Sequence, residues 1–575
     1  MRHIDSYKLK LAFSQLAFIL MLSLPLLTFP ANSIYPRYTP DMMAFSLLAV
    51  WGLLTLSHKE NRQPYVAINS LGLLAMAWTG IVLIQQLSGL INTYWSFTLI
   101  SLGYFFAMAV IGVLMHAWIR AGYKKEIFYS FLIAILLVAL LNACVVLIQS
   151  SRFIDIFIPV IEKSSTGRPG GFISQANIAS TWLVCGLIAL VFLTKNNDRR
   201  TAQPNVLNVG FMCLLLWAIN TTASRISLVE IYSFTALLFF MRKKMAVSKV
   251  WLLIPLWQII MNYIEYFAGA LFEAKTGTGI FTRFFESQQT RFEIFSGVIH
   301  IIKEHPLGGI GWRQLQLEQL SRPDLLGILD HSHNLILQIQ LELGLAGSVS
   351  LAAFLMYWLF QKSIWSTPDP VKAVGLMIAI VFGLHSMTEF PLWHGPSLFA
   401  FCVTIALIET SPVLQIKTKP KVLLSVLIIQ CLILAWISLD HTKAYEKLDH
   451  FTQNKTVTDT EEMFPVWWFK TYDDYREIQA IVITPQNHGQ YRAQTLQLAN
   501  GLTPAIPYLH LLKVYVFSND IDKAHGMARR ICKIDPQYWQ KIVAYHLLNG
   551  PKEMQTWIFE LPPDIKKCTK SEVQP

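Results

Sequence analysis

Four short polar stretches interrupt an otherwise apolar chain: RPGGFISQAN (168–177), TTASR (221–225), HSHN (331–334) and TEFPLWH (388–394). Their residue types suit group transfer from an anionic leaving group. Arg225 follows a capping candidate, Ser224, at a very short turn between apolar runs, where a charge must be paired, hydrated or anchored at headgroup depth. Anion binding and interfacial anchoring are the two readings. Arg168 precedes Pro169-Gly170-Gly171, whose glycines would let backbone amides approach a ligand, while Ser174, Gln175 and Asn177 add caps and donors. A snorkelling arginine beside a turn would look the same.

His331 and His333 come immediately before an apolar run, with Asn334 as a candidate N-cap. Imidazole, with an unperturbed pKa of about 6.5, suits general-base work at neutral pH. The neighbouring acids, Asp324 and Asp330, supply no recognised ligand spacing, so a metal is the weaker reading and none is expected. Glu389 is the sharpest anomaly, because a carboxylate so near the apolar slab needs a partner, and a His or an Arg would serve. Arg291 opens an amphipathic helix whose apolar stripe, Phe292, Phe295, Val298, Ile299 and Ile302, has no need of it. Arg313 and Arg322 are reserve cations.

The elements that must position these groups follow from composition. Of 575 residues, 53% are hydrophobic and only 14% charged, whereas about a quarter are charged in ordinary soluble proteins. Thirteen apolar runs, from 11–29 to 422–438, are each near the length of one span. The expected fold is therefore an all-α polytopic membrane protein. Lys and Arg, for a formal net charge of +11, concentrate in alternate connections, as at Lys124 and Lys125 or Arg242, Lys243 and Lys244. The positive-inside rule then places the N-terminus in the cytoplasm and the C-terminus outside. The charge is thus assigned to topology, not to nucleic acid. The first apolar run is long for a signal peptide and is expected to stay as a span.

Three segments are expected: N-terminal spans at 1–150, a catalytic membrane region at 151–440 with a long outer loop at 270–334, and a soluble helical domain at 441–575. Within the last, residues 508–536 read as two helices split at Asn519-Asp520, similar to a tetratricopeptide unit. Cys532 and Cys568 fall there, where a disulfide could join them. In this topology all four polar stretches start inward-running helices, so their positive ends share the outer face and attract anions. No hydrolase elbow, P-loop, H-E-x-x-H or dinucleotide fingerprint appears.

The order Ser224-Arg225 at a span start, Arg291 ahead of P-L-G-G-I-G-W, and H-N followed by L-x-x-Q-x-x-x-E-L-G-x-x-G resembles the Wzy_C superfamily of O-antigen ligases and polymerases. The resemblance covers about residues 165–410. RPGGFISQAN and HSMTEFPLWHGPS are similar to stretches of bacterial protein O-oligosaccharyltransferases of the PglL type, which glycosylate pilins and other exported proteins. The resemblance implies a GT-C-like, inverting, metal-independent enzyme of the bacterial inner membrane that needs no cofactor. It also implies an undecaprenyl-diphosphate-linked oligosaccharide donor and en bloc transfer to Ser or Thr of a pilin or other periplasmic protein. By motif position it makes His333 the essential histidine, with His331 an adjacent candidate, and Arg225 and Arg291 the diphosphate arginines. Arg168, Gln175, Asn177 and Glu389 match the protein-transferase stretches. An O-antigen ligase acting on lipid A core and an O-antigen polymerase remain alternatives. A polyprenol-linked glycan flippase would concentrate polar residues near mid-span, whereas here they cluster at span ends.

Overall fold

The computed structural model describes residues 6–28, 38–58, 65–151, 161, 168–194, 204–245, 247–272, 289–321, 331–361, 369–409, 411–454, 466–501, 505–534 and 536–568. Arg322, Asp324 and Asp330 lie outside the described residues, as do most of the 151–167 connection and part of the 270–334 loop.

Each of the thirteen expected spans falls on a helix. In chain order these are α1 (Ser6–Ser23), α2 (Tyr38–Ser57), α3 (Ser70–Leu87), α4 (Trp95–Arg120), α5 (Lys124–Ser150), α6 (Ala176–Leu193), α7 (Val206–Thr221), α8 (Arg225–Met245) and α9 (Ile254–Phe272). After the short loop helices α10 (Gln289–Glu304) and α11 (Leu315–Ser321) come α12 (Leu335–Phe360), α13 (Pro370–Ser386), α14 (Gly395–Ile408) and α15 (Pro420–Asn454). Among the described residues, eight apolar helices are long enough to cross a membrane, while α7, α13 and α14 are shorter apolar helices. The chain is an all-α polytopic membrane protein.

Local signals set the helix starts. Asn69, Asn205, Asn334 and Asp369 each accept a backbone N–H of the first turn they precede, which satisfies one of the donors a helix start leaves orphaned. Ser224 does not act as the cap expected of it, since its buried hydroxyl oxygen has no partner. Burial sorts the helices. The apolar window of α6 is 89% buried, that of α15 only 17%, so α6 is the axis of the bundle and α15 faces outward. α6 packs on α5, α7, α8 and α13, around a core that includes Trp51, Trp118, Trp182, Phe131, Phe234, Phe382 and Phe399.

A two-stranded antiparallel ribbon, β1 (Tyr65–Ile68) with β2 (Leu414–Lys417), was not expected; it pairs Tyr65 with Lys417. Beside it the Glu409 carboxylate accepts from the Ser70 backbone N–H at 2.9 Å and from the Trp358 indole at 2.5 Å, binding α3, α12 and α14 together at the end remote from the polar clusters.

The C-terminal part is helical: α16 (Lys470–Ala480), α17 (His488–Gly501), α18 (Ala505–Phe517), α19 (Ile521–Ile534), α20 (Pro536–Asn549), α21 (Lys552–Glu560) and α22 (Pro563–Lys567). α18 and α19 turn back on each other through Asn519, whose φ of 56° is left-handed, a conformation Asn tolerates better than most residues. Tyr508, Leu511, Met527, Ile531, Trp539 and Trp557 form its core, and a disulfide joins Cys532 to Cys568. Asp440, on α15, accepts the backbone N–H groups of Trp467, Trp468 and Phe469, so a buried carboxylate fixes where the last span hands over to this domain.

Candidate active site

The H-S-H-N loop is locked before any ligand arrives. Asn334 caps α12 with its side-chain oxygen and donates from Nδ2 to the Met387 carbonyl at 3.0 Å. Ser332 N–H donates to Gln338 at 2.6 Å, and the Ser332 hydroxyl to the Asn334 carbonyl at 2.9 Å. His333 is held at φ 55°, a strained backbone for a non-glycine residue, and such strain persists only where its surroundings impose it. The loop thereby aims one imidazole at Glu389.

Glu389 follows the C-terminal turn of α13, its backbone N–H donating to the His385 carbonyl. Its two oxygens divide the site. Oε1 accepts from Arg291 Nη2 at 2.7 Å and from Asn177 Nδ2 at 2.9 Å, while Oε2 accepts from His333 Nδ1 at 3.1 Å. Burial alone would push this carboxyl upward, but the hydrogen bond and charge of His333, with the charges of Arg291 and His385, outweigh it and hold Glu389 below the usual carboxylate range. A carboxylate accepting Nδ1–H fixes the imidazole tautomer with its lone pair on Nε2, and that nitrogen belongs to a side chain still 23% exposed.

The two histidines are not equivalent. His331 is buried at 4% exposure, its ring tilted against Phe390 with centroids 3.5 Å apart, and its Nδ1 accepts the backbone N–H of His333 at 3.2 Å. His333 is therefore the ring able to take a proton from an incoming group, and His331 shapes the loop. Glu389 contacts the His333 imidazole and so orients it.

The arginines divide as well. Arg291 stands in the first turn of α10 and joins Glu389. α10 packs through Ile294, Val298 and Ile301, with Ile302 half-buried. Phe292 and Ile299, expected in the packed stripe, are exposed at 70% and 41%; the stripe is offset by about one helical position, leaving these two on the outer surface. Arg168 donates from Nε and Nη2 to the carbonyls of Thr222 and Ala223 and from Nη2 to Asn177 Oδ1, at 2.9–3.1 Å. It clamps its loop to the α7–α8 turn, and Asn177 passes that link to Glu389. Arg225 opens α8 directly after the clamped turn, its side chain half-buried. Gln175 precedes α6 without a capping bond, and its Oε1 is buried without a partner.

The glycine loop departs from expectation. Gly171, at φ 61°, donates its N–H to Gln149 at 2.9 Å, and Phe172 N–H goes to Asn142 at 3.0 Å. A Cβ at Gly171 would lie 2.5 Å from Asn142 Oδ1, so the loop's close approach is to α5 and not to open ligand space.

Residues 210–352 match the family model described as O-antigen ligase, and residues 373–549 the one described as virulence factor membrane-bound polymerase, C-terminal. The two domains are consistent with a member of the O-antigen ligase superfamily. No curated protein matches the chain. The ligase match contains Arg225, Arg291, His331 and His333, and the polymerase match contains Glu389. Arg168, Gln175 and Asn177 precede both. A membrane enzyme of the glycan-transfer type is what these domains support.

Two features of the protein were not read from its sequence. Beneath the site, Thr181 of α6 donates to Glu230 of α8 at 2.7 Å and is in hydrogen-bond contact with His385 of α13; Glu230 and His385 stand 3.6 Å apart, both fully buried. An acid inside a span signals such a partner, but which one cannot be read from spacing. Beside the site, a cavity of about 840 Å³ runs the length of the bundle. It begins at Phe390 and Met387, next to the histidine loop, passes Trp393, Trp312 and Phe105, and ends at Trp358 near Glu409.

Proposed function

We propose that this enzyme moves a glycan en bloc from a polyprenyl diphosphate carrier to a hydroxyl of an exported protein, at the outer face of the inner membrane. The observation that carries the reading is the His333–Glu389–Arg291 cluster at the mouth of an apolar slot. The acceptor hydroxyl gives its proton to His333 Nε2 as its oxygen attacks the anomeric carbon. The bond to the diphosphate breaks, and inversion at that carbon follows from attack opposite the leaving group. Arg291 and Arg225, near helix starts, face the charge that grows on the diphosphate. Arg168 and Asn177 hold the frame. The slot, lined by aromatic and aliphatic side chains, takes the carrier's tail beside the reacting centre, so that reactants from two phases meet.

The disulfide favours an oxidising compartment for the C-terminal domain, in line with a periplasmic site and a cytoplasmic N-terminus. A second reading has its own support: the polymerase match across 373–549 fits transfer to the end of another lipid-linked repeat unit, with unchanged donor chemistry. Reconstitution with lipid-linked oligosaccharide and separate pilin-like, lipid-core and lipid-linked glycan acceptors decides. Glycosylated protein is the expected product; glycan elongation or lipid-core ligation without protein product would replace the acceptor assignment, and no transfer to any acceptor would overturn the reading.

A further inference from the structure

A second apolar cavity, about 390 Å³, lies between α2, α4 and α15, walled by Met42, Phe45, Leu102, Phe106, Ile429 and Ile433. The proposed reaction does not use it. Phe106, Ile429 and Ile433 are exposed, so its mouth opens on the outward surface of the bundle, beside the least buried span. In hydrocarbon such a cleft is filled by a lipid chain, because water finds no polar partners along those walls.

One end of the cleft is different. There Arg313, Trp468, Tyr38 and Tyr472 line it, and the stacking of Trp312 on Trp393, 6.1 Å between ring centroids, sets this end level with the active site. Trp468 and Gln430 are more than nine-tenths buried, yet Trp468 Nε1 and Gln430 Oε1 have no hydrogen-bond partner. A buried indole N–H normally finds one. Asp41, the acid in the lining, is occupied by the Tyr104 hydroxyl. Arg313 is exposed, held at φ 58°, its guanidinium 5.6 Å from the Phe97 ring centroid, with Glu342 facing it from α12. An apolar trough ending in a cation and an unpaired N–H has the layout of a lipid with an anionic head.

We infer that this cleft binds one anionic glycerophospholipid, an acyl chain between α2, α4 and α15 and the phosphate at Arg313 and Trp468 Nε1. The donor's own tail is a poorer occupant, since the cleft has less than half the volume of the larger slot and Tyr104 and Arg313 stand between the two. The bound lipid bridges the spans and the segment that leads into the C-terminal domain, because Trp468, Phe469 and Tyr472 belong to that segment. The inference is independent of the acceptor and of the transfer reaction.

An acyl chain gains little by leaving one apolar medium for another, so selectivity comes from the headgroup; one Arg beside an anionic head contributes about fivefold. The test is native mass spectrometry of the full-length protein in detergent, with phosphatidylglycerol or phosphatidylcholine of identical chains. The wild type retains one phosphatidylglycerol, about fivefold in preference to phosphatidylcholine, and Arg313→Gln removes the preference. Gly103 lines only the smaller cavity and Gly383 only the larger, and a Cβ at either meets nothing within 4 Å. Gly103→Leu therefore reduces retention to background while Gly383→Leu leaves it intact. Unchanged retention in Gly103→Leu, loss only in Gly383→Leu, or equal retention of the two lipids by the wild type would each overturn the site. Should Gly103→Leu fail to fold, Ile433→Trp, from another wall of the cleft, gives the same reading.

Discussion

His331 and His333 differ in what their Nδ1 atoms do. His331 Nδ1 accepts a backbone N–H, whereas His333 Nδ1 donates to Glu389 at 3.1 Å. A base positioned by a carboxylate contributes roughly 10²- to 10⁴-fold to proton transfer, so His333→Ala should lose transfer to that extent while the protein still inserts and expresses. His331→Ala should lose less, through a loosened loop. Arg225→Lys should also be severely impaired, since an ammonium cannot reproduce the planar fork. Initial rates with purified donor and acceptor check all three; a His331 variant worse than the His333 variant would reverse the assignment. Glu389 was legible from sequence as a misplaced carboxylate, and its two candidate partner types were both correct because the carboxylate has two oxygens and uses each. Thr181 and Glu230 were not, because their pairing depends on how α6, α8 and α13 pack, which no local spacing encodes.

At the scale of elements, the P-L-G-G-I-G-W turn and the E-L-G of α12 prove to be two halves of one joint. Gly344 breaks α12 at φ 63° and ψ −155°. Leu345 N–H donates to the Leu307 carbonyl at 3.0 Å and Ile310 N–H to the Leu341 carbonyl at 2.8 Å. A Cβ at Gly344 would lie 2.2 Å from the Leu307 carbonyl oxygen. Gly344→Ala therefore carries a penalty of about 1–3 kcal/mol for a backbone region essentially reserved for glycine and a backbone clash besides, displacing the helix that Asn334 caps. Gly308→Ala, with nothing within 4 Å of its Cβ, should stay within about 0.5 kcal/mol of wild type. Thermal unfolding and transfer rate separate them. In α20, burial and then the charge of Lys513 lower His546 to about 4. The unfolded chain, with an ordinary pKa of about 6.5, then binds the extra proton between pH 6.5 and 4. Stability falls as pH drops through that window, by about 3 kcal/mol in all, and is level above it. Hydrogen exchange of α20 peptides should show the slope, and His546→Gln should flatten it.

For the molecule as a whole, the period and length of the apolar runs were enough to place a helix on each of the thirteen expected spans, because crossing a bilayer takes about 20 apolar residues. They could not show that α6 is the axis and α15 the outer wall, nor that β1 and β2 pair across most of the chain, since these are contacts between distant segments. The same holds for the junction between the long loop and the C-terminal domain. Arg530 of α19 is 3% exposed and donates from Nη1 to the Gln319 carbonyl at 2.6 Å and from Nη2 to Gln319 Oε1 at 3.1 Å, while Leu317 packs on the domain core. α11 follows directly on the Gly309–Gln314 turn that joins α12, so the domain is mechanically continuous with the histidine loop. If that domain presents the acceptor, freeing α11 should loosen acceptor binding while leaving the proton-transfer geometry in place. Arg530→Met removes both hydrogen bonds while retaining much of the apolar stem, at a cost of about 2–3 kcal/mol for bonds to a charged group. Acceptor KM should rise several-fold with kcat nearly unchanged, the pattern of lost uniform binding. A destabilised domain with unaltered KM would mean that the acceptor is held by the spans alone.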